Sequence, residues 1–320
     1  MSQLAEYAAK LHQKEAYTEP KELNPIYYQS SQEQLSGIRA VIFDVYGTLI
    51  NYWRPGFETP QMKEKTLSDT FSVICEKFGM GSTFAKINPQ QPPEKTLSEF
   101  YHGLIVLSQE KAQKSGNMFA EVKIEEVWNL ILLMLKRHGY KAEHHCPGDC
   151  SEFNRYLAFT YNFHALGRQL YPNVYTALKA LKEKHIVLGI VSNAQFYTPI
   201  DLTLMLRDQS GGEIDDYYEL FDVDLVFYSY EYGVRKPGEL LFRKLFDALY
   251  EMHILPSQTL FVGNDLVMDI EPASSAGMKT AFFTGDQNSA YFHDKRGTII
   301  PDLCINDYEE LPPKVSFHGE

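Results

Sequence analysis

What this 320-residue sequence lacks narrows it first. No apolar run approaches the ~20 residues that a membrane-spanning helix needs. Residues 1–10 carry no apolar core of signal-peptide length. The four cysteines, Cys75, Cys146, Cys150 and Cys304, are too few and too scattered for a disulfide scaffold. Positive charge is not in excess. The net charge is −12, which argues against nucleic acid as the main partner, because a phosphate backbone is held by a basic face. A local basic pocket for a small anion stays compatible with that balance. No internal repeat or low-complexity segment stands out, and no motif sets an oligomeric state. A soluble, cytoplasmic protein with neither a membrane nor a nucleic-acid partner is expected.

What is present reads as an ordinary globular chain, 44% apolar and 22% charged. The length suggests about two domains. The stretch Val41-Ile42-Phe43-Asp44-Val45-Tyr46-Gly47-Thr48-Leu49-Ile50 organises the rest. Val41 to Phe43 read as a strand buried on both faces. Asp44 then stands at the strand's carboxyl end, where open α/β sheets bind ligands. Gly47 permits a sharp turn close to a ligand, and Thr48 puts a hydroxyl on that turn.

Residues 1–38 read as an added segment. Leu4, Tyr7, Ala8 and Leu11 predict a short amphipathic helix, ended by Pro20 and Pro25. Between about 51 and 165 strand-like alternation is scarce. Leu67, Phe71, Ile74, Cys75 and Phe78 follow a 3.6-residue period, as do Val122, Val127, Leu130, Ile131, Met134 and Leu135. Asn88 to Pro93, with three prolines, reads as a loop. His144, His145, Cys146 and Cys150 are zinc-ligand types. Their spacing is not that of a zinc finger, so a surface turn is expected.

A regular alternation resumes near residue 166. A helix is predicted over about 173–184 and a strand over Ile186–Val191. Further strands are predicted at Val223–Tyr228, Thr259–Val262, Lys279–Phe283 and Leu303–Ile305, with helices at about 238–252 and 269–277. This order implies a parallel sheet with right-handed crossovers.

Three further strand tips carry polar residues. Ser192 and Asn193 offer a hydroxyl and an amide for an oxyanion. Lys236, before Pro237, supplies a cation near Asp44 to offset negative charge. Asp265 and Asp269 follow Gly263-Asn264. Carboxylates gathered beside Asp44 are unfavourable without a cation, and hard oxygen ligands suit Mg²⁺.

These four motifs, in this order, resemble the haloacid dehalogenase-like hydrolase superfamily, whose first motif is Asp-x-x-Gly-Thr-Leu in its commonest form. The resemblance covers about 39–50 and 166–310. It implies an α/β fold, a Rossmann-like parallel sheet core (39–50 and 166–320) with an inserted, mostly α-helical cap (51–165), after an N-terminal extension (1–38). It implies Asp44 as covalent nucleophile, with Ser192 and Lys236 in the catalytic set. Thr48, Gly47, Asn193 and Lys236 would bind substrate. Mg²⁺ would be held by Asp44, the Tyr46 carbonyl and Asp265, with Asp269 as outer acid or in the reverse assignment. The cap would close over the site and choose the substrate.

Two places depart from the pattern. Many relatives have an acid where this chain has Asn264. Phosphatases of the superfamily usually carry a second Asp where this chain has Tyr46, and a phenol with a pKa near 10 is a poor base. The Asp-x-Tyr-Gly-Thr-Leu form resembles the 2-haloacid dehalogenases. Those work without a metal and use an Arg soon after the motif, for which Arg54 is only a loose match. The expected function is a Mg²⁺-dependent phosphatase acting on a small phosphomonoester. The alternatives are a 2-haloacid dehalogenase and a catalytically weak binding or scaffold protein.

Overall fold

The computed structural model describes residues 2–15 and 23–317. Pro20, expected to end the first helix, lies outside them. The described residues fall into two compact units. One contains α1 and Trp53–Arg168. The other includes Ala40 to Tyr52 and everything described from Gln169 onward.

The first unit is helical: α1 (Gln3–Glu15), α2 (Pro60–Lys77), α3 (Gly81–Ile87), α4 (Pro93–Lys114), α5 (Ile124–Arg137) and α6 (Phe153–Ala165). In α1, Leu4, Ala8 and Leu11 are buried, and the Tyr7 hydroxyl shares a 2.8 Å hydrogen bond with Thr160 of α6. Phe71 and Ile74 of α2 and Val127, Ile131 and Leu135 of α5 are buried, as their spacing predicts. The proline-rich stretch differs from expectation at its end. Pro93 opens α4, because the first helical position needs no N–H donor. Helix α4 escapes a reading by apolar period because it buries only Thr96, Leu97 and Tyr101.

The second unit is an α/β layer structure. Its strands are β1 (Ala40–Phe43), β2 (Ile50–Asn51), β3 (Gln169–Leu170), β4 (Val187–Ser192), β5 (Val226–Tyr228), β6 (Thr259–Gly263), β7 (Lys279–Phe283) and β8 (Leu303–Ile305). Six of them form one sheet in the order β5-β4-β1-β6-β7-β8, and every pairing is parallel. Strands β2 and β3 form a separate antiparallel pair. The helices of this unit include α7 (Val174–Glu183), α8 (Thr198–Gln209), α9 (Ser229–Tyr232), α10 (Glu239–Glu251) and α11 (Glu271–Ser275).

Strand β1 is apolar at every position because both of its faces are covered. Val41 and Phe43 pack in one core with Leu178 and Leu181 of α7 and Leu202 and Leu206 of α8. Ala40 and Ile42 pack in another with Leu241, Leu245 and Leu249 of α10. Fully burying side chains of this size stabilises by roughly 1.5–3 kcal/mol each.

Several elements of this unit differ from the sequence reading, β2, β3 and α9 among them. The segment expected as a strand from Val223 is a helical turn to Leu225, and only Val226–Tyr228 pairs. The helix expected at 269–277 begins as a π-helical turn, Leu266–Ile270, that runs into α11. Helix α8 is an addition to it. No helix among the described residues is long and apolar enough to cross a membrane.

Candidate active site

The sheet reverses its order at β1. The chain builds β4 and β5 on one side and then β6, β7 and β8 on the other. Such a switch point leaves a crevice at the carboxyl ends of the strands. Asp44 stands there, directly after β1, with its N–H donating to the Val262 carbonyl of β6.

Three donors reach the Asp44 carboxylate. The Ser192 hydroxyl, at the tip of β4, donates to Oδ1 at 3.0 Å. The Lys236 ammonium donates to the same oxygen at 2.7 Å. The Thr48 hydroxyl lies 3.3 Å from Oδ2 and 3.0 Å from Asn264 Oδ1. Asp44 is 6% exposed and Lys236 2%, so these charges meet away from bulk water.

Lys236 also donates to Asp269 Oδ1 at 2.6 Å and to the Val191 carbonyl at 3.1 Å. One ammonium therefore serves two buried carboxylates. Burial pulls the Lys236 pKa down, but Asp269 and Asp44 outweigh it, and the net direction is up. Burial pushes the Asp269 carboxyl up to about 7, against the opposing effect of Lys236. An acid with a raised folded pKa binds its proton more tightly when folded. Its contribution therefore favours the folded state at low pH and is lost as pH rises from about 4 to about 7. Asp269→Asn should flatten that descent. Thermal unfolding of both proteins across this window measures it, and parallel curves would refute the shift.

Asn193 stands beside this cluster and holds the backbone of its lysine. Its Oδ1 accepts from the Lys236 N–H at 2.6 Å, and its Nδ2 donates to the Lys236 carbonyl at 3.2 Å. Both ends of the amide fix the backbone that carries the lysine. Gly47 has a positive φ of 84°, and a Cβ there would lie 2.3 Å from Asn264 Nδ2. The glycine is needed for both its conformation and its space.

The two acids of the fourth motif part company. Asp269 joins the Lys236 cluster, and its Oδ2 accepts from the N–H groups of Asn264 and Asp265 at 3.2 and 3.1 Å. Asp265 caps the π-helical turn: its Oδ1 accepts from Val267 and Met268 N–H at 2.8 Å each, and its Oδ2 lies 2.8 Å from His293 Nε2. The residue that reaches Thr48 from this turn is Asn264, whose Nδ2 donates to the Ser289 carbonyl at 2.6 Å.

A Mg²⁺ ion binds through one or two carboxylates with other oxygen ligands and waters. Here Asp269 and Asp265 have both carboxylate oxygens committed to protein donors or to His293. Asn264 is an uncharged amide bonded at both ends. This donor set does not fit the ion. Among the described residues no group of three or more His, Cys, Asp or Glu side chains could hold a metal.

Tyr46 is accommodated passively. Its hydroxyl shares a 2.6 Å hydrogen bond with Thr198 Oγ1, and its ring stacks on Tyr52 with centroids 4.4 Å apart. Thr198, fully buried at the start of α8, is a residue that the sequence reading did not single out. Arg54 donates to the His164 carbonyl within the helical unit. In the Cys146–Cys150 turn, both thiols face the Gly148 carbonyl, and burial pushes Cys146 up to about 11.

The sequence profile of haloacid dehalogenase-like hydrolases matches residues 38–277. The chain belongs to that family. Its enzymes are hydrolases, and the fold is the Rossmann-like parallel sheet that the strand order shows. A protein similar to this haloacid dehalogenase-like chain is the ribulose-1,5-bisphosphate 5-phosphatase of Halopiger xanaduensis, 28% identical over 120 residues. That match spans 38% of this chain and 44% of the relative, less than half of the relative's length. Among solved structures, a HAD phosphatase from Thermococcus onnurineus is 19% identical at a TM-score of 0.46, covering 86% of this chain and 97% of that one. A 2-haloacid dehalogenase from Pseudomonas syringae pv. Tomato DC3000 is 19% identical at a TM-score of 0.47, with the same coverage.

Proposed function

We propose that this hydrolase cleaves small phosphomonoesters through a covalent aspartyl-phosphate on Asp44. The observation that carries the reading is the convergence of one buried ammonium and two hydroxyls on a single carboxylate at the switch point of the sheet. The phosphatase from H. xanaduensis, named for a phosphate-ester substrate, supports the same class.

Oδ1 of Asp44 is held by Ser192 and Lys236, and Oδ2 has Thr48 beside it. Oδ2 is the oxygen assigned to attack. Its bond to phosphorus forms as the ester P–O bond breaks, and the leaving oxygen takes a proton from water. A second water then attacks phosphorus, releases phosphate and restores the carboxylate. Lys236, Ser192 and Thr48 meet the transferring oxygens, where preorganised donors stabilise developing charge. No Mg²⁺ is assigned a step, because the donors do not fit one.

The Tyr46 phenol does not replace a carboxylic acid. Loss of a general acid costs about 10²–10⁴-fold when the leaving group needs a proton. Esters of acidic alcohols and phenols are therefore the preferred substrates. The helical insert between β2 and β3 is assigned the family's substrate-selecting role, as a cap. A second reading, displacement of halide from a 2-haloacid carbon, is favoured by Tyr46 itself, because halide leaves without a proton.

Wild-type protein should release p-nitrophenol from p-nitrophenyl phosphate and no halide from a 2-haloacid. Halide release without phosphatase activity would replace the first reading with the second. Neither activity would leave a binding protein on a hydrolase fold.

A further inference from the structure

We infer that Lys236 is the resident cation of this site, that no divalent cation shares it, and that Asn264 is the residue that decides this. The inference rests on Asp44 being the working carboxylate, but its test reads binding, so either can fail alone.

A divalent ion is drawn to a place where several carboxylates lack compensation. At these strand tips a resident ammonium already supplies most of the compensation. The Lys236 ammonium lies 2.7 Å from Asp44 and 2.6 Å from Asp269, with all three side chains nearly fully buried. Two carboxylates and one ammonium leave a single negative charge. An ion of charge two would overcompensate the cluster.

The turn after β6 could still have added a ligand. Asn264 is the residue it aims toward Asp44, through Thr48, and an amide adds no charge. Its two ends bridge Thr48 and Ser289, so turning its oxygen to an ion would break a buried hydrogen bond. Asp265, one residue on, is held on two backbone N–H groups and beside His293. To reach the site it would have to give up the cap of the π-helical turn, leaving two N–H groups without their acceptor. The carboxylate stands one place too late in the chain, and the turn fixes it there.

The test titrates Mg²⁺ alone into wild type, Asn264→Asp and Asn264→Asp/Asp44→Asn by calorimetry, with melting curves in Mg²⁺ and in EDTA. Wild type should show no saturable heat and the same Tm in both conditions. Asn264→Asp places a second carboxylate across from Asp44. It should gain saturable Mg²⁺ binding and, at about 100 times its Kd, a rise in Tm of roughly 5 °C. The double variant should lose that gain. Saturable binding by wild type, abolished by Asp44→Asn, would overturn the inference. An Asn264→Asp protein that folds, by unchanged circular dichroism, yet binds no Mg²⁺ would overturn the part assigned to Asn264. If wild type hydrolyses an aryl phosphate, the rate should be unchanged in EDTA. If it does not, the binding result still stands.

Discussion

Asp44→Asn should lower turnover of an aryl phosphate by on the order of 10⁴-fold or more, the size of loss seen when a nucleophile is removed from a covalent mechanism. The same substitution should leave the fold in place, and this makes the result interpretable. Asparagine has nearly the shape of aspartate. Its amide oxygen can still accept from Ser192 and Lys236, which reach Oδ1 at 3.0 and 2.7 Å. Lys236 keeps its second partner, Asp269, so no buried charge is stranded. The negative charge of the cluster falls by one, which removes part of the competition for the ammonium. Circular dichroism and Tm close to wild type, with turnover lost, would fit a chemical role. Retained turnover would remove Asp44 from the mechanism. Loss of fold and activity together would show that the carboxylate is structural, and Ser192→Ala would then separate the two roles by removing a donor without touching charge.

Much of the site was legible because its determinants are local. A strand covered on both faces must be apolar at every position, so Val41 to Phe43 announced themselves, and the polar residue that follows had to be at a strand tip. The same reasoning located Ser192 and the turn after Val262. What could not be read is which neighbour in a turn faces the crevice. Asn264, Asp265 and Asp269 lie within one six-residue stretch, and their directions are set by the π-helical turn and by the N–H groups it leaves for Asp265 and Asp269. The expectation of Mg²⁺ rests on two acids near Asp44. One of them, Asp269, shares Lys236 with Asp44, and the other, Asp265, caps a turn.

Other details escaped for a different reason, namely that they join residues far apart in the chain. Asn193 grips the backbone of Lys236 across 43 residues, and Tyr46 finds Thr198 across 152. No spacing rule connects such pairs. Helix α8, which brings Thr198, buries Asp201 and Thr198 along with Leu202, Met205 and Leu206, so an apolar-period search passes over it. The substitution of Tyr for a second acid looked like a loss when read along the chain. In the fold it is a stacked, hydrogen-bonded side chain with neighbours of its own.

Lys236→Met tests the hub of the arrangement, and its effect should be larger on stability than any surface change. The variant leaves Asp44 and Asp269 nearly fully buried with no cation between them. Removing one partner of a buried ionic cluster costs about 3–5 kcal/mol, because the remaining charges stay desolvated. The protein has one escape, which is to protonate a carboxylate. Asp269 already has a pKa raised to about 7 with the ammonium present, and losing Lys236 removes an effect that lowers it, so its pKa should rise further. The sign follows: a folded-state acid with a raised pKa is favourable at low pH, and that advantage disappears as pH climbs through the raised value. Lys236→Met should therefore be destabilised most above pH 7 and recover toward pH 5. The double variant Lys236→Met/Asp269→Asn should regain much of the loss at high pH, since one buried carboxylate, still held by Ser192, replaces two. Urea unfolding of the three proteins at pH 5 and pH 8 decides it. A Lys236→Met protein as stable as wild type at pH 8 would mean that the lysine is not what holds these carboxylates together. A deficit that is equal at both pH values would mean that lost packing, rather than uncompensated charge, is the cause.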